Sequence, residues 1–123
     1  MANVLNWFEI PVTDMARAVK FYCEVMGYES MSQINMGGYD NALFPMKGEG
    51  VGGSLCKGEE FKPTTDGAII YLNGNPDLAI PLSKVEAAGG KVILPKQLIT
   101  EEIGYMAIFI DSEGNRVAFH SNK

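Results

Sequence analysis

The sequence is short of the residues on which metal, disulfide and nucleic-acid chemistry depend. Its 123 residues hold one histidine, His120, and two cysteines, Cys23 and Cys56. Two thiols, in what read as a helix and a strand, make no disulfide framework and suit a reducing cytoplasm. Lysine and arginine total 10 against 15 acidic residues, a net charge of −5. The basic residues are scattered singly, and phosphate contacts need clustered positive charge, so nucleic acid is not expected as a partner. No apolar run exceeds a few residues, which excludes a bilayer-spanning helix. No basic stretch followed by an apolar one opens the chain, so a secretory leader is not expected either.

What is present is ordinary for a globular protein: 46% apolar and 20% charged residues. A chain of this length is expected to form one domain, burying about two thirds of its unfolded surface. The order of its segments then repeats. Val4–Val12 reads as a strand rich in β-branched and aromatic residues. Thr13-Asp14 offers a helix N-cap, and Met15, Ala18, Val19, Tyr22, Val25 and Met26 follow at helical spacing, closed by Gly27. Three strand-like stretches come next, Tyr28–Met36, Tyr39–Met46 and Val51–Lys57, punctuated by Gly37-Gly38 and by Lys47-Gly48-Glu49-Gly50.

Gly58–Thr65 is polar and reads as a linker, after which the same order returns. Ala68–Leu72 is a strand, Asn75-Pro76-Asp77 a helix start, and Leu78, Leu82, Val85 and Ala88 an apolar stripe ending at Gly89-Gly90. Pro81 inside that stripe costs a helix about 3 kcal/mol, so the second helix is expected to start late, near Ile80-Pro81, or as a separate turn. Three more strands follow, Lys91–Leu94, Tyr105–Ile110 and Arg116–His120, with Asp111–Asn115 (DSEGN) as a hairpin turn. Module 1 covers about residues 1–58, the linker 58–65 and module 2 about 66–123. Each module would cover one sheet face with its helix, and pairing two buries what one leaves bare.

The segments WFEIPVTDMARAVKFYCEVMGYE, YLNGNPDLAIPLSKVEAAGGKVILP and GYMAIFIDSEGNRVAFHS resemble the glyoxalase/bleomycin-resistance/extradiol-dioxygenase (vicinal oxygen chelate) superfamily, in particular its lactoylglutathione-lyase-related branch. The resemblance implies an α+β fold of two tandem βαβββ modules, forming a cupped mixed sheet with helices on the outer face. It also implies a homodimer. Enzymes of the superfamily place one His, Gln or Glu on each of four strands facing the cup. The matching positions here are Trp7, Ser54, Ile69 (or Ala68) and Ala118. One hydroxyl and three hydrocarbon groups cannot hold a divalent ion, so no metal or other cofactor is expected at that position.

Strand alternation puts Glu9, Cys56 and His120 on the cup side as well, a set that could bind zinc if it converged. The expected ligand-binding residues are Trp7, Glu9, Cys56, Tyr71, Arg116 and His120, with Met36 or Met46 adding to the lining. Glu9 is expected to pair with Arg116 if their strands adjoin. Glu9 and His120 are the candidates for acid–base catalysis. Trp7 suits either stacking on a ligand or filling the space of the missing metal. The reading is a metal-independent small-molecule-binding protein, with a lyase, isomerase or dioxygenase using a displaced metal or the Glu9/His120 pair as the alternative, and a fold kept for protein interaction as the third. Net acidity favours a neutral or cationic ligand.

Overall fold

Asp14 starts the first helix by one bond. Its carboxylate accepts from the Arg17 amide at 3.0 Å, satisfying a donor that the helix itself leaves free. The computed structural model describes residues 3–36 and 38–123. Gly37, expected in a turn, and the side chain of Met36, expected toward the cup, lie outside the described residues. Strand β1 spans Trp7–Pro11 and helix α1 Met15–Met26. Gly27 closes α1 at φ 77°, a left-handed conformation that costs a residue without a Cβ little. Three strands complete the module, β2 Ser32–Met36, β3 Tyr39–Leu43 and β4 Gly52–Lys57.

The second module repeats the order with a shorter helix. Strand β5 is Tyr71–Asn73, α2 is the single turn Ala79–Leu82, and β6 Lys91–Thr100, β7 Gly104–Ile110 and β8 Arg116–Ser121 follow. Pro81 lies in α2, where the chain starts late as expected, and residues beyond Leu82 continue only as turns. The apolar stripe survives without a regular helix, since Leu78 and Val85 are fully buried. Strand β5 is shorter and later than the Ala68–Leu72 reading, although the Ala118 amide still donates to the Ile70 carbonyl at 3.0 Å. Strand β6 is much longer than Lys91–Leu94. Pro95 would stop a regular ladder, but register shifts between Val92 and Leu94 and between Leu94 and Gln97 absorb it.

The strands form two four-stranded mixed sheets, ordered β1-β4-β3-β2 and β5-β8-β7-β6, rather than one uninterrupted sheet. In each, the first and last strands of the module run parallel: Glu9 pairs Ser54, and Tyr71 pairs Ala118. Phe8, Ile10 and Val12 pack with Leu55, Leu72, Phe109, Val117 and Phe119 and the α1 residues Ala18, Phe21, Tyr22 and Val25 in a core common to both modules. Phe21 lay outside the helical stripe read from sequence, yet its ring stands edge-on to Tyr22 at 4.9 Å and 6.1 Å from Phe109.

The DSEGN segment turns the chain between β7 and β8 and also joins the modules. Asn115 donates from Nδ2 to the Pro11 carbonyl at 2.7 Å, and the buried Tyr22 hydroxyl donates to Asp111 Oδ2 at 2.7 Å. Burial, with Asp111 beside it, pushes the Tyr22 phenol well above its ordinary value. Glu113 accepts from the amides of Thr13 and Asp14, the Thr13 hydroxyl and the Arg17 guanidinium, at 2.7–3.1 Å. Its side chain is wholly buried while that of Arg17 is half-exposed.

Burial alone would raise the Glu113 carboxyl, but the Arg17 hydrogen bond and the Thr13 and Asp14 donors outweigh it and hold it at about 2 instead of 4.5. A depressed native value stabilises the fold above the unfolded-state value and is lost as pH falls through the native one. Urea unfolding is therefore expected to lose on the order of 3 kcal/mol from this residue as the pH drops from about 4.5 to about 2. Glu113→Gln should be less stable at pH 7 and largely lack this slope; an unchanged slope would contradict the assignment.

Candidate functional site

Two sheet faces carry no helix, and alternation fixes what they present. On the first sheet these are Trp7, Glu9 and Pro11, beside Gly52, Ser54 and Cys56 and then Leu43 and Asn41. On the second they are Tyr71 and Asn73, beside Arg116, Ala118 and His120 and then Met106, Ile108 and Ile110. The opposite faces hold Phe8, Ile10, Leu55, Ala107, Phe109, Val117 and Phe119, all in or against the core.

The glycine pair of β4 shapes the first face. A Cβ on Gly52 would lie 2.6 Å from Met46 Sδ and 3.0 Å from Trp7 Cζ3, and one on Gly53 would run into the Phe8 ring. An aromatic ring thus closes over each side of β4 because neither glycine has a side chain. Trp7 is 45% exposed, so it stands as a half-open wall beside Met46 rather than filling a core. Sequence reading passed over Gly52, although two adjacent glycines inside a strand are a signal of close approach.

Trp7 and Met46 line a hollow of about 500 Å³ with Ser30, Ser32, Leu43, Phe44 and Pro45. Met46 also borders a larger open groove of about 990 Å³, where the start of β4 meets β5 across the two modules. Phe8, Met26, Tyr28 and Phe44 form its deeper side, and Ile69, Tyr71, Asn73 and Asn75 its second-module side. Tyr71 is 50% exposed there. Lys47 and Glu49 are the charged residues on its rim.

The four positions of the expected metal site do not fit a metal. Trp7 stands beside Met46, Ala118 is fully buried, and Ile69 is hydrocarbon. Ser54 is fully buried and donates its hydroxyl hydrogen to Asn41 Oδ1 at 3.0 Å. That set lacks the donors a divalent ion requires.

The displaced set is not assembled either. Glu9 and Cys56 lie on the first sheet and His120 on the second, and no three His, Cys, Asp or Glu side chains converge among the described residues. His120 Nε2 is 2.6 Å from the Ile103 carbonyl. A carbonyl only accepts, so Nε2 is the donor in this contact. The expected Glu9–Arg116 pair is absent for a topological reason: β1 pairs only with β4, and β8 lies between β5 and β7. The ion pairs among the described residues are Arg17–Glu113 and Lys96–Asp77.

Cys56 is buried, and its thiol is pushed up by that burial and by Glu9 nearby, the reverse of an activated nucleophile. Cys23 belongs to α1 on the covered side of the sheet, so the two thiols are free.

Comparison with known proteins places this geometry. A family model described as bleomycin resistance protein-like N-terminal matches residues 5–44, which is β1 to the end of β3. No curated protein matches the chain. Among solved structures, a glyoxalase/bleomycin resistance protein from Albidiferax ferrireducens is 13% identical, with 98% of this chain covered, 100% of that one, and a TM-score of 0.69. A glyoxalase-related enzyme from Fulvimarina pelagi is 14% identical, with 98% and 89% covered and a TM-score of 0.66. A glyoxalase I variant from Zea mays is 16% identical over 95% of this chain, which spans only 45% of that protein's length, with a TM-score of 0.63.

The two β4 glycines should respond differently to a methyl group. Gly52→Ala is expected to displace the flexible Met46 and the Trp7 ring, changing Trp7 emission and quenching by acrylamide with little loss of stability. Gly53→Ala presses on Phe8 against the core and should cost about 1–3 kcal/mol. Equal unfolding midpoints for the two variants would contradict this difference.

Proposed function

We propose, for a chain whose fold is that of the glyoxalase/bleomycin-resistance proteins, that it binds a small molecule without a metal, against the open sheet faces and the groove between its modules. The observation that carries the reading is the groove of about 990 Å³. It falls at the large end of small-molecule sites, and its walls are mainly apolar with a few polar groups, the usual composition of such a site. The donor-poor set Trp7, Ser54, Ile69 and Ala118 supports independence from a metal. Tyr71 contacts the ligand from the groove and Trp7 from the adjoining hollow in this reading, with Arg116, His120 and Glu9 on the open sheet faces outside both and Cys56 beneath the surface. The working compartment is the cytoplasm, which two free thiols suit.

The protein acts as a homodimer in the same reading. Support comes from the β6–β7 hairpin, where Leu98, Ile99 and Ile103 are exposed together with Ile93.

Incubation with Zn2+, Ni2+, Mn2+ and Fe2+, then dialysis and elemental analysis, should leave well below one metal per chain. Retention of a full equivalent would overturn metal independence. Titration with thiols, aromatic drugs and the methylglyoxal–glutathione adduct should perturb Trp7 fluorescence for at least one class, and silence from all of them would count against the site. Sedimentation equilibrium should give twice the 13.4 kDa chain mass. Leu98→Glu should then lower it toward one chain, and a wild-type monomer would remove the dimer from the reading.

A further inference from the structure

Strand register arranges the open face of the second sheet in three rows. Ile110 pairs with Arg116 on one side and Lys91 on the other, so two cations flank one isoleucine. In the next row Ile108 pairs with Ala118 and Leu94, and Ala118 with Tyr71. In the third, Met106 pairs with His120 and Gln97, and His120 with Asn73. Paired residues share a face, so the surface runs from cationic through apolar to neutral polar.

No carboxylate belongs to these rows. Asp111 and Glu113, the nearest in sequence to Arg116, are turned the other way, toward Tyr22 and Arg17. Neither Arg116 nor Lys91 is in an ion pair among the described residues. Lys96 on the same strand is already committed, to Asp77 at 2.8 Å and over the Tyr105 ring.

Arg116 carries the second observation. Its Nε is buried with no hydrogen-bond partner, alone in this respect among the described side chains. A buried charged donor without an acceptor is costly, and a folded protein rarely leaves one unused. The guanidinium presents a planar fork suited to the two oxygens of a carboxylate or phosphate. Lys91 sits about 10 Å away at the backbone, two strand spacings, within side-chain reach of the same anion.

We infer that this face binds the anionic head of an otherwise apolar small molecule, Arg116 holding the head and Lys91 assisting. The inference rests on the small-molecule reading above and names its ligand class, an organic carboxylate or phosphate. The apolar body lies against Tyr71 and Ile108, which flank the fully buried Ala118. The far end, about 13 Å along β8 from Arg116, meets the neutral polar row of His120, Asn73 and Gln97. The chain's net charge of −5 predicts the opposite preference, but the carboxylates that produce it lie off this face.

Calorimetric titration with 2-naphthoate, 2-naphthyl phosphate and the neutral 2-naphthalenemethanol tests this, with the Nε–H resonance of Arg116 followed by NMR. One anion or both should bind about tenfold or more tighter than the alcohol and shift the Nε–H signal, and the tighter of the two identifies the head group. Arg116→Gln should abolish the advantage of the anions over the alcohol. Arg116→Lys, which keeps the charge without the fork, should retain part of it, and Lys91→Gln should reduce it by a smaller factor. Equal binding of all three probes to the wild type overturns the anion inference and leaves the small-molecule reading standing. No binding of any probe at millimolar concentration, together with a silent Trp7 titration, overturns both.

Discussion

The two modules are held in register by a carboxylate that has left water and kept its charge. Glu113 sits in the turn between β7 and β8, yet its partners are Thr13, Asp14 and Arg17, where β1 gives way to α1. Burying a charge is tolerable only when hydrogen bonds replace its hydration. Five donor contacts do so here, two of them from backbone amides that helix α1 cannot use itself. Asp111 and Asn115 complete the junction through Tyr22 and the Pro11 carbonyl. The Thr64 amide also donates to Asn115 Oδ1 at 3.1 Å, so the linker is tied to the same turn.

With that junction set, the helical sides of both sheets share one core and the other faces are left uncovered. The chemistry available there follows from register. In the first sheet, parallel pairing puts Trp7 over Gly52 and Glu9 beside Ser54. In the second, the corresponding strands set Tyr71 beside Ala118 and Asn73 beside His120. Where a metal enzyme of this fold would aim donors, this chain has an indole, a hydroxyl already bonded to Asn41, and hydrocarbon. On the second face Arg116 stands at one end and His120 at the other.

Much of this was legible beforehand. The α1 boundaries were readable because an Asp N-cap, a helical stripe and a terminal glycine act within a few residues of one another. The late start of α2 followed from one proline. The ends of β1 and β5 were over-read, because apolar character continues past the residues that find a ladder partner. Strand β6 was under-read for the opposite reason, since Pro95 looks like a stop and a bulge accommodates it. The turn Asp111–Asn115 was identified as a turn, but its junction with Thr13 and Arg17 was not. Glu113 and Thr13 are 100 residues apart, and nothing local links them.

From residue order alone came the repeated module and the side of each strand that faces the core, while the four positions at which metal donors were sought came from the family resemblance. Periodicity, capping and residue chemistry are properties of near neighbours along the chain. The tertiary structure decided which candidates meet. It separated Glu9 from Arg116 and His120, uncovered Trp7, buried the Cys56 thiol and put Lys91 in one row with Arg116. Those outcomes depend on strand order and register between distant segments, set by the buried charge and shared core. For that reason a chain of net negative charge carries two cations and no carboxylate in the paired rows of its second open face.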